Sequence, residues 1–202
     1  MRIDLRDVSK GIALPPTSVA FESGQAVVAI AETEQRPTVL GLIASGRMVS
    51  DSGLVLIDGG EDAAALRSRI ALVDAPGVSD PAPDVTVAGV TAEELMFAGR
   101  PAGPAAVRRW LDEAGCGGLA RIPIGDVTPG ERIGLLLALT ALRPGVEGIV
   151  LVSPDRHGGD PREWKGLADA YALRGMAVLV IAGAAAASLL RLFRVELPEV
   201  GR

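Results

Sequence analysis

The chain has 202 residues, 49% of them hydrophobic, and carries a net charge of −5 with only two lysines, Lys10 and Lys165. A chain of this size buries roughly two-thirds to three-quarters of its unfolded surface in one core, which predicts a single domain spanning residues 1–202. The scattered arginines give no basic face, which excludes an electrostatic nucleic-acid binder, and the single cysteine, Cys116, excludes an intramolecular disulfide. With the polar start MRIDLRD, these features set the expectation of a cytoplasmic protein.

In chain order, residues 1–8 alternate Ile3, Leu5 and Val8 with charged residues, as a half-solvated strand does. Pro15 and Pro16 are expected to break the chain before a short strand at 18–21. The apolar run 26–30 reads as a strand buried on both faces, followed by a polar loop at 31–37 and a helix over 38–44 that Gly46 closes. A strand at 54–57 joins those at 1–8, 18–21 and 26–30 in an expected mixed or antiparallel layer. A short helix at 62–67, a strand at 70–73 and a surface loop at 79–83 follow. Thr91 and Glu94 predict a capping box opening a helix to about Ala98, with a loop at 99–103 and a helix at 104–114.

Thr128, Pro129 and Glu131 form a second capping box, ahead of an apolar helix at 133–142. A strand is expected at 148–154, and Asp160-Pro161-Arg162-Glu163 forms a third capping box opening a helix that ends at Gly175. His157, the only histidine, reads as a solvated loop residue. The longest apolar stretch, 176–190, is shorter than the roughly 20 residues a bilayer requires and contains Gly183, so it reads as a buried strand at 177–181 followed by a helix at 184–194. In that helix Leu189, Leu190, Leu192 and Phe193 interleave with Arg191 and Arg194, a pattern that suits either packing on the sheet or docking on a partner helix.

Strand, loop and helix over 24–53 form the frame of a phosphate-binding loop, in which GxxxxGK[ST] wraps phosphates with backbone N–H groups and a lysine. Here that register reads AETEQRPT: Ala31 replaces the first glycine, Arg36 the second and Pro37 the lysine, and Thr38 alone matches. With Gly24 before it and Val39, Leu40, Ser50-Asp51-Ser52-Gly53 and Asp58-Gly59 after it, the chain resembles the ATP-binding subunit of an ABC transporter. The resemblance implies an α/β P-loop NTPase-like fold with a mixed or antiparallel β layer and a helical subdomain, shortened here to about 91–127. It also implies functional positions whose residue types are missing.

The glutamine that senses magnesium and water aligns with Ala75. The LSGGQ signature aligns with Thr128, Pro129, Gly130 and Glu131. The metal-holding aspartate and the general-base glutamate align with Val152 and Ser153, and the γ-phosphate histidine aligns with Gly183. No aromatic ring stands near 9–12, where the family stacks adenine. Glu32 and Glu34 put negative charge where phosphate would sit.

The expected function is a catalytically inactive structural or regulatory subunit, with no cofactor. Its expected partner is a protein: itself, an intact ABC ATPase subunit or a membrane protein that brings it to the inner face of the membrane. Two alternatives remain at this level. In one, Thr128 and Gly130 complete the ATP and magnesium site of an intact partner. In the other, the old nucleotide cleft binds a different small molecule.

Overall fold

The computed structural model describes residues 1–32 and 35–192, the side chains of residues 191 and 192 excepted. Two sheets organise the chain. The first is antiparallel, ordered β2-β1-β4, and is built from β1 (Arg2–Lys10), β2 (Leu14–Glu22) and β4 (Ser52–Ile57). The second is parallel, ordered β3-β7-β6-β5, from β3 (Ala26–Ile30), β7 (Ala177–Ala182), β6 (Gly148–Val152) and β5 (Ile70–Val73). The strand at 26–30 therefore belongs to the parallel sheet, pairing with β7, and not to the antiparallel layer expected from sequence; as the edge strand it is half-buried with Ile30 exposed, and not buried on both faces as its apolar run suggested.

The apolar runs explain the parallel sheet. Every residue of β5, β6 and β7 is buried, as required of strands covered on both faces. Period-two alternation then divides their side chains between two cores. Ile149 and Leu151 of β6 and Val178 and Val180 of β7 face the core shared with α3 (Val87–Phe97), α4 (Pro104–Glu113), α5 (Pro129–Thr140) and α6 (Pro161–Leu173). Val150, Val152, Leu179 and Ile181 face the core shared with α1 (Arg36–Ala44), α2 (Ala63–Arg69) and the antiparallel sheet. Helix α7 (Ala184–Leu192) follows β7 after one residue, as the 176–190 pattern predicts. Phe193 and Arg194 lie outside the described residues.

Inside β1 the alternation Ile3, Leu5, Val8 changes parity, and a register shift between Leu5 and Val8, with Asp7 at φ 50°, restores the inward face. Gly53 sits against that bulge at φ 79°, where a Cβ would come within 2.3 Å of the Arg6 carbonyl oxygen, so no other residue fits.

Three expectations need correction. Pro15 and Pro16 do not break the chain. They lie within β2, exposed on the outer edge of the sheet, where a missing N–H costs no ladder bond. Thr91 caps nothing: α3 starts four residues earlier under a Thr86 cap that accepts from Gly89 N, while Thr91, fully buried, donates its hydroxyl to the Val87 carbonyl. Helix α1 begins at Arg36, two residues before its predicted start, because Pro37 suits the first turn of a helix.

The Thr128 box and the helix-ending glycines agree with the sequence: Thr128 forms the complete capping box with Glu131, and Gly46 and Gly175 follow α1 and α6 with positive φ. Asp160 caps α6 through Arg162 N without the reciprocal Glu163 bond of a capping box. No described helix is long and apolar enough to cross a membrane.

Candidate functional site

The C-terminal ends of the parallel strands carry the candidate site, as open α/β sheets generally arrange. β3 ends at Ile30, and Ala31, nearly buried, donates its N–H to the Ala182 carbonyl at 3.1 Å. α1 then opens without a side-chain cap at Gln35, and Pro37 in its first turn removes one of the N–H groups that a helix start offers an anion. Thr33 and Glu34 lie outside the described residues.

A cleft of about 500 Å³ opens here, lined by Ala31, Glu32, Pro37, Pro76, Ser153, Asp155, Arg156 and Gly183. Five residues singled out from sequence, Ala31, Glu32, Pro37, Ser153 and Gly183, thus meet in one place. Two backbone donors at its edge are taken by the chain's own carboxylates. Asp155 Oδ2 accepts from Gly183 N at 2.9 Å, and Glu32 Oε1 accepts from Ala184 N at 2.5 Å, so the start of α7 is capped by the chain's own carboxylates.

Arg36 and Thr38 belong to the first turn of α1 without lining the cleft, and two other positions are withdrawn from it altogether. Val152 is fully buried, and a Cβ placed on Gly41 of α1 would lie 2.8 Å from its Cγ2: the valine forms the floor on which α1 packs. Ala75 is equally buried, its carbonyl accepting from Val78, Ser79 and Asp80 N in a tight turn.

Thr128, Pro129, Gly130 and Glu131 occupy a separate face at the start of α5. The Thr128 hydroxyl donates to Glu131 Oε2 at 2.7 Å, and these bonds hold the Glu131 carboxyl below its ordinary range. Glu163 of α6 lies against Gly130, where a Cβ would come within 2.8 Å of its Oε2, and a Cβ on Gly159 would meet Pro129 at 3.1 Å.

An ion cluster beside the cleft was not anticipated. Asp74 follows β5 at φ 57° and has no exposed surface. Arg132 Nη2 of α5, itself buried, donates to Asp74 Oδ1 at 2.8 Å; Arg156 Nη2 lies 3.0 Å from the same oxygen; and His157 Nε2 donates to Oδ2 at 2.7 Å. Arg156 Nη1 also donates to the carbonyls of Asp74 at 2.6 Å and Val152 at 2.9 Å.

Burial alone would push the Asp74 carboxyl up. The bonds from His157 and Arg132, with the charges of Arg156 and Arg132, outweigh it and hold the carboxyl below the ordinary aspartate range. His157 is therefore a structural partner of a buried carboxylate and not the solvated residue its loop position suggested. The available signal was Asp74 itself, an acid placed directly at the end of an all-apolar strand, but its three partners are distant in sequence.

An ABC transporter ATP-binding protein from Pyrococcus furiosus matches this architecture with a TM-score of 0.65 at 16% identity, covering 91% of this chain and 92% of that one. The chain has the ABC ATPase cassette fold. The cassette MJ0796, a dimeric bacterial structure, matches with a TM-score of 0.65 at 17% identity over 94% of this chain and 90% of its own. The cassette cbiO1 from Clostridium perfringens, part of a transporter complex, matches at 0.61 and 16% identity, over 90% and 77%. No known-family model matches the sequence, and no curated protein does. Within this cassette fold the cleft occupies the mouth of the β3–α1 loop, and the ion cluster joins the ends of β5 and β6 to the start of α5.

Proposed function

We propose that this chain is a non-hydrolysing cassette that acts by binding a protein partner, as a structural or regulatory subunit. The observation that carries the reading is the state of the cleft's charges. Its two carboxylates, Glu32 and Asp155, hold the backbone donors at the start of α7, and its arginine, Arg156, is committed to Asp74. At about 6 Å and an effective dielectric of about 20, each carboxylate opposes each phosphate charge by roughly 3 kcal/mol. Magnesium fares no better, because the position expected to hold it is the core residue Val152. The residues present therefore do not fit Mg-ATP, and no hydrolytic step is derived from them.

The partner reading draws support from the exposed surface of the helical region. Met96 and Phe97 at the end of α3 are 63% and 61% exposed, with the Arg143 guanidinium 5.4 Å from the Phe97 ring. Structural relatives described as dimeric or as part of a transporter complex make a second copy, an intact cassette or a membrane component the partners to test first. The region at about 91–127 is read as the reduced partner-docking part of the single domain. Completion of a partner's ATP site by Thr128 and Gly130 is disfavoured, since the Thr128 hydroxyl is engaged by Glu131 and Pro129 offers no N–H.

Calorimetric titration of the full chain with Mg-ATP tests the reading. No heat is expected up to millimolar ligand, and micromolar binding overturns it.

A further inference from the structure

Residues 83–125 close upon themselves. Gly125 N donates to the Pro83 carbonyl, Ile124 N to Val85 O, Val87 N to Ile122 O and Ala88 N to Ala120 O, so the chain leaving β5 and the chain entering α5 are zipped together at their base. This makes α3, α4 and their loops one block with two roots, the segment after β5 and the segment before α5.

One buried guanidinium grips both roots. Arg132 Nη2 bonds to Asp74, the last residue before the outgoing root, and Arg132 Nη1 donates to the Ile124 carbonyl of the returning root at 3.2 Å. Apolar packing of Val87, Val90 and Leu95 holds the block to its neighbours without fixing a direction, whereas these bonds are directional. Asp74 is held in turn by Arg156 and His157, from the short turn Pro154–His157 that also supplies the cleft wall.

We infer that Arg132 and Asp74 form a hinge lock that fixes the α3–α4 block in one orientation on the sheet, and that Arg156 and His157 fasten this lock to the wall of the cleft. The lock gives the docking region a fixed presentation from within the chain. Its purpose rests on the reading of this chain as a non-hydrolysing cassette; its existence is tested without that reading. Arg156 is also within 3.7 Å of Asp80 on the outgoing root, so the wall and that root share a second, weaker tie.

Amide hydrogen exchange followed by mass spectrometry on the full chain provides the test. Asp74→Asn should speed exchange in segments 75–82 and 120–127 by about ten-fold or more while β6 and β7 stay within about two-fold of wild type. Arg156→Gln, at the solvent side of the cluster, should give the same pattern at about three-fold. A uniform rise across roots and sheet means general destabilisation and overturns the lock, as does an unchanged rate at both roots. Should Asp74→Asn fail to fold, the Arg156→Gln pattern decides alone. Mg-ATP added to the wild-type chain separates the two proposals: new protection around α1 would overturn the non-hydrolysing reading and leave the lock to the variants.

Discussion

The cleft and the ion cluster lie side by side at the C-terminal ends of one parallel sheet, and they satisfy charge in opposite ways. In the cleft, exposed Glu32 accepts from Ala184 N at the start of α7, while Asp155 accepts from Gly183 N through Oδ2 and keeps its Oδ1 buried without a hydrogen-bond partner. In the cluster, Asp74 is sealed from water and receives two guanidiniums and an imidazole. A solvated carboxylate that loses its partner regains water, while a sealed one that loses its partner leaves buried charges uncompensated. Glu32 is therefore open to change at small cost, whereas the electrostatics of the cluster are fixed by the fold.

Two substitutions measure that difference. Asp74→Ala leaves Arg132 buried without its counter-ion and should lower stability by about 3–5 kcal/mol, read from urea unfolding. Glu32→Ala removes a helix cap in contact with solvent and should lower it by about 1 kcal/mol. Equal effects would erase the distinction between the two regions.

Acid sharpens the same contrast more gently. Because Asp74 titrates below the ordinary aspartate value of 3.8, the stability it contributes is complete above that value and is lost as pH falls through its folded value. The urea midpoint should therefore drop from pH 6 to pH 3, and Asp74→Asn should drop less over the same interval. Other carboxylates held low, among them Asp4, Asp51 and Asp58, remain in both proteins and cancel in the comparison. A variant whose pH dependence matches wild type would show that Asp74 is not the group responsible.

The elements that could be read from the sequence are those fixed by local physics. The strands at 70–73 and 148–152 stand out because burial on both faces demands unbroken apolar runs, and the Thr128 box because a cap involves residues three apart; the run at 26–30 marked the strand but not its half-buried place at the sheet edge. Thr91 misled because a threonine followed by Glu94 looks the same whether it starts a helix or sits one turn inside it; only Thr86, at the true start, settles the matter. Pro15 and Pro16 misled because the sequence does not say which strand is at an edge.

The cluster was illegible for another reason. Asp74 meets Arg132 across 58 residues and His157 across 83, separations that only the folded sheet brings to hydrogen-bonding distance. The register against GxxxxGK[ST] found the place of the cleft through Ala31 and Pro37. It could not show that Glu32 and Asp155 cap α7, because that pairing also depends on the fold.

The smallest effect is expected where the sequence departs most visibly from a phosphate loop. Pro37→Lys restores the lysine position and the missing N–H together. Pro37 is buried in the first turn of α1, where a residue with an N–H is tolerated as well as proline, so stability should change by no more than about 1 kcal/mol. Activity should not appear at all. Ala31 and Arg36 still deny the loop its glycines, Glu32 still faces the cleft, Val152 still fills the floor beneath Gly41, and Ser153 offers no carboxylate to orient water. A lysine that arrives alone meets Glu32 and Asp155 and is expected to pair with them in place of a phosphate. Phosphate release from ATP, followed in the presence of magnesium, should stay at the level of a protein-free control for both wild type and Pro37→Lys. Turnover gained by this single change would mean that the cleft's geometry is intact and only its cation was missing, and the contrast between an adjustable Glu32 and a fixed cluster would then extend to catalysis itself.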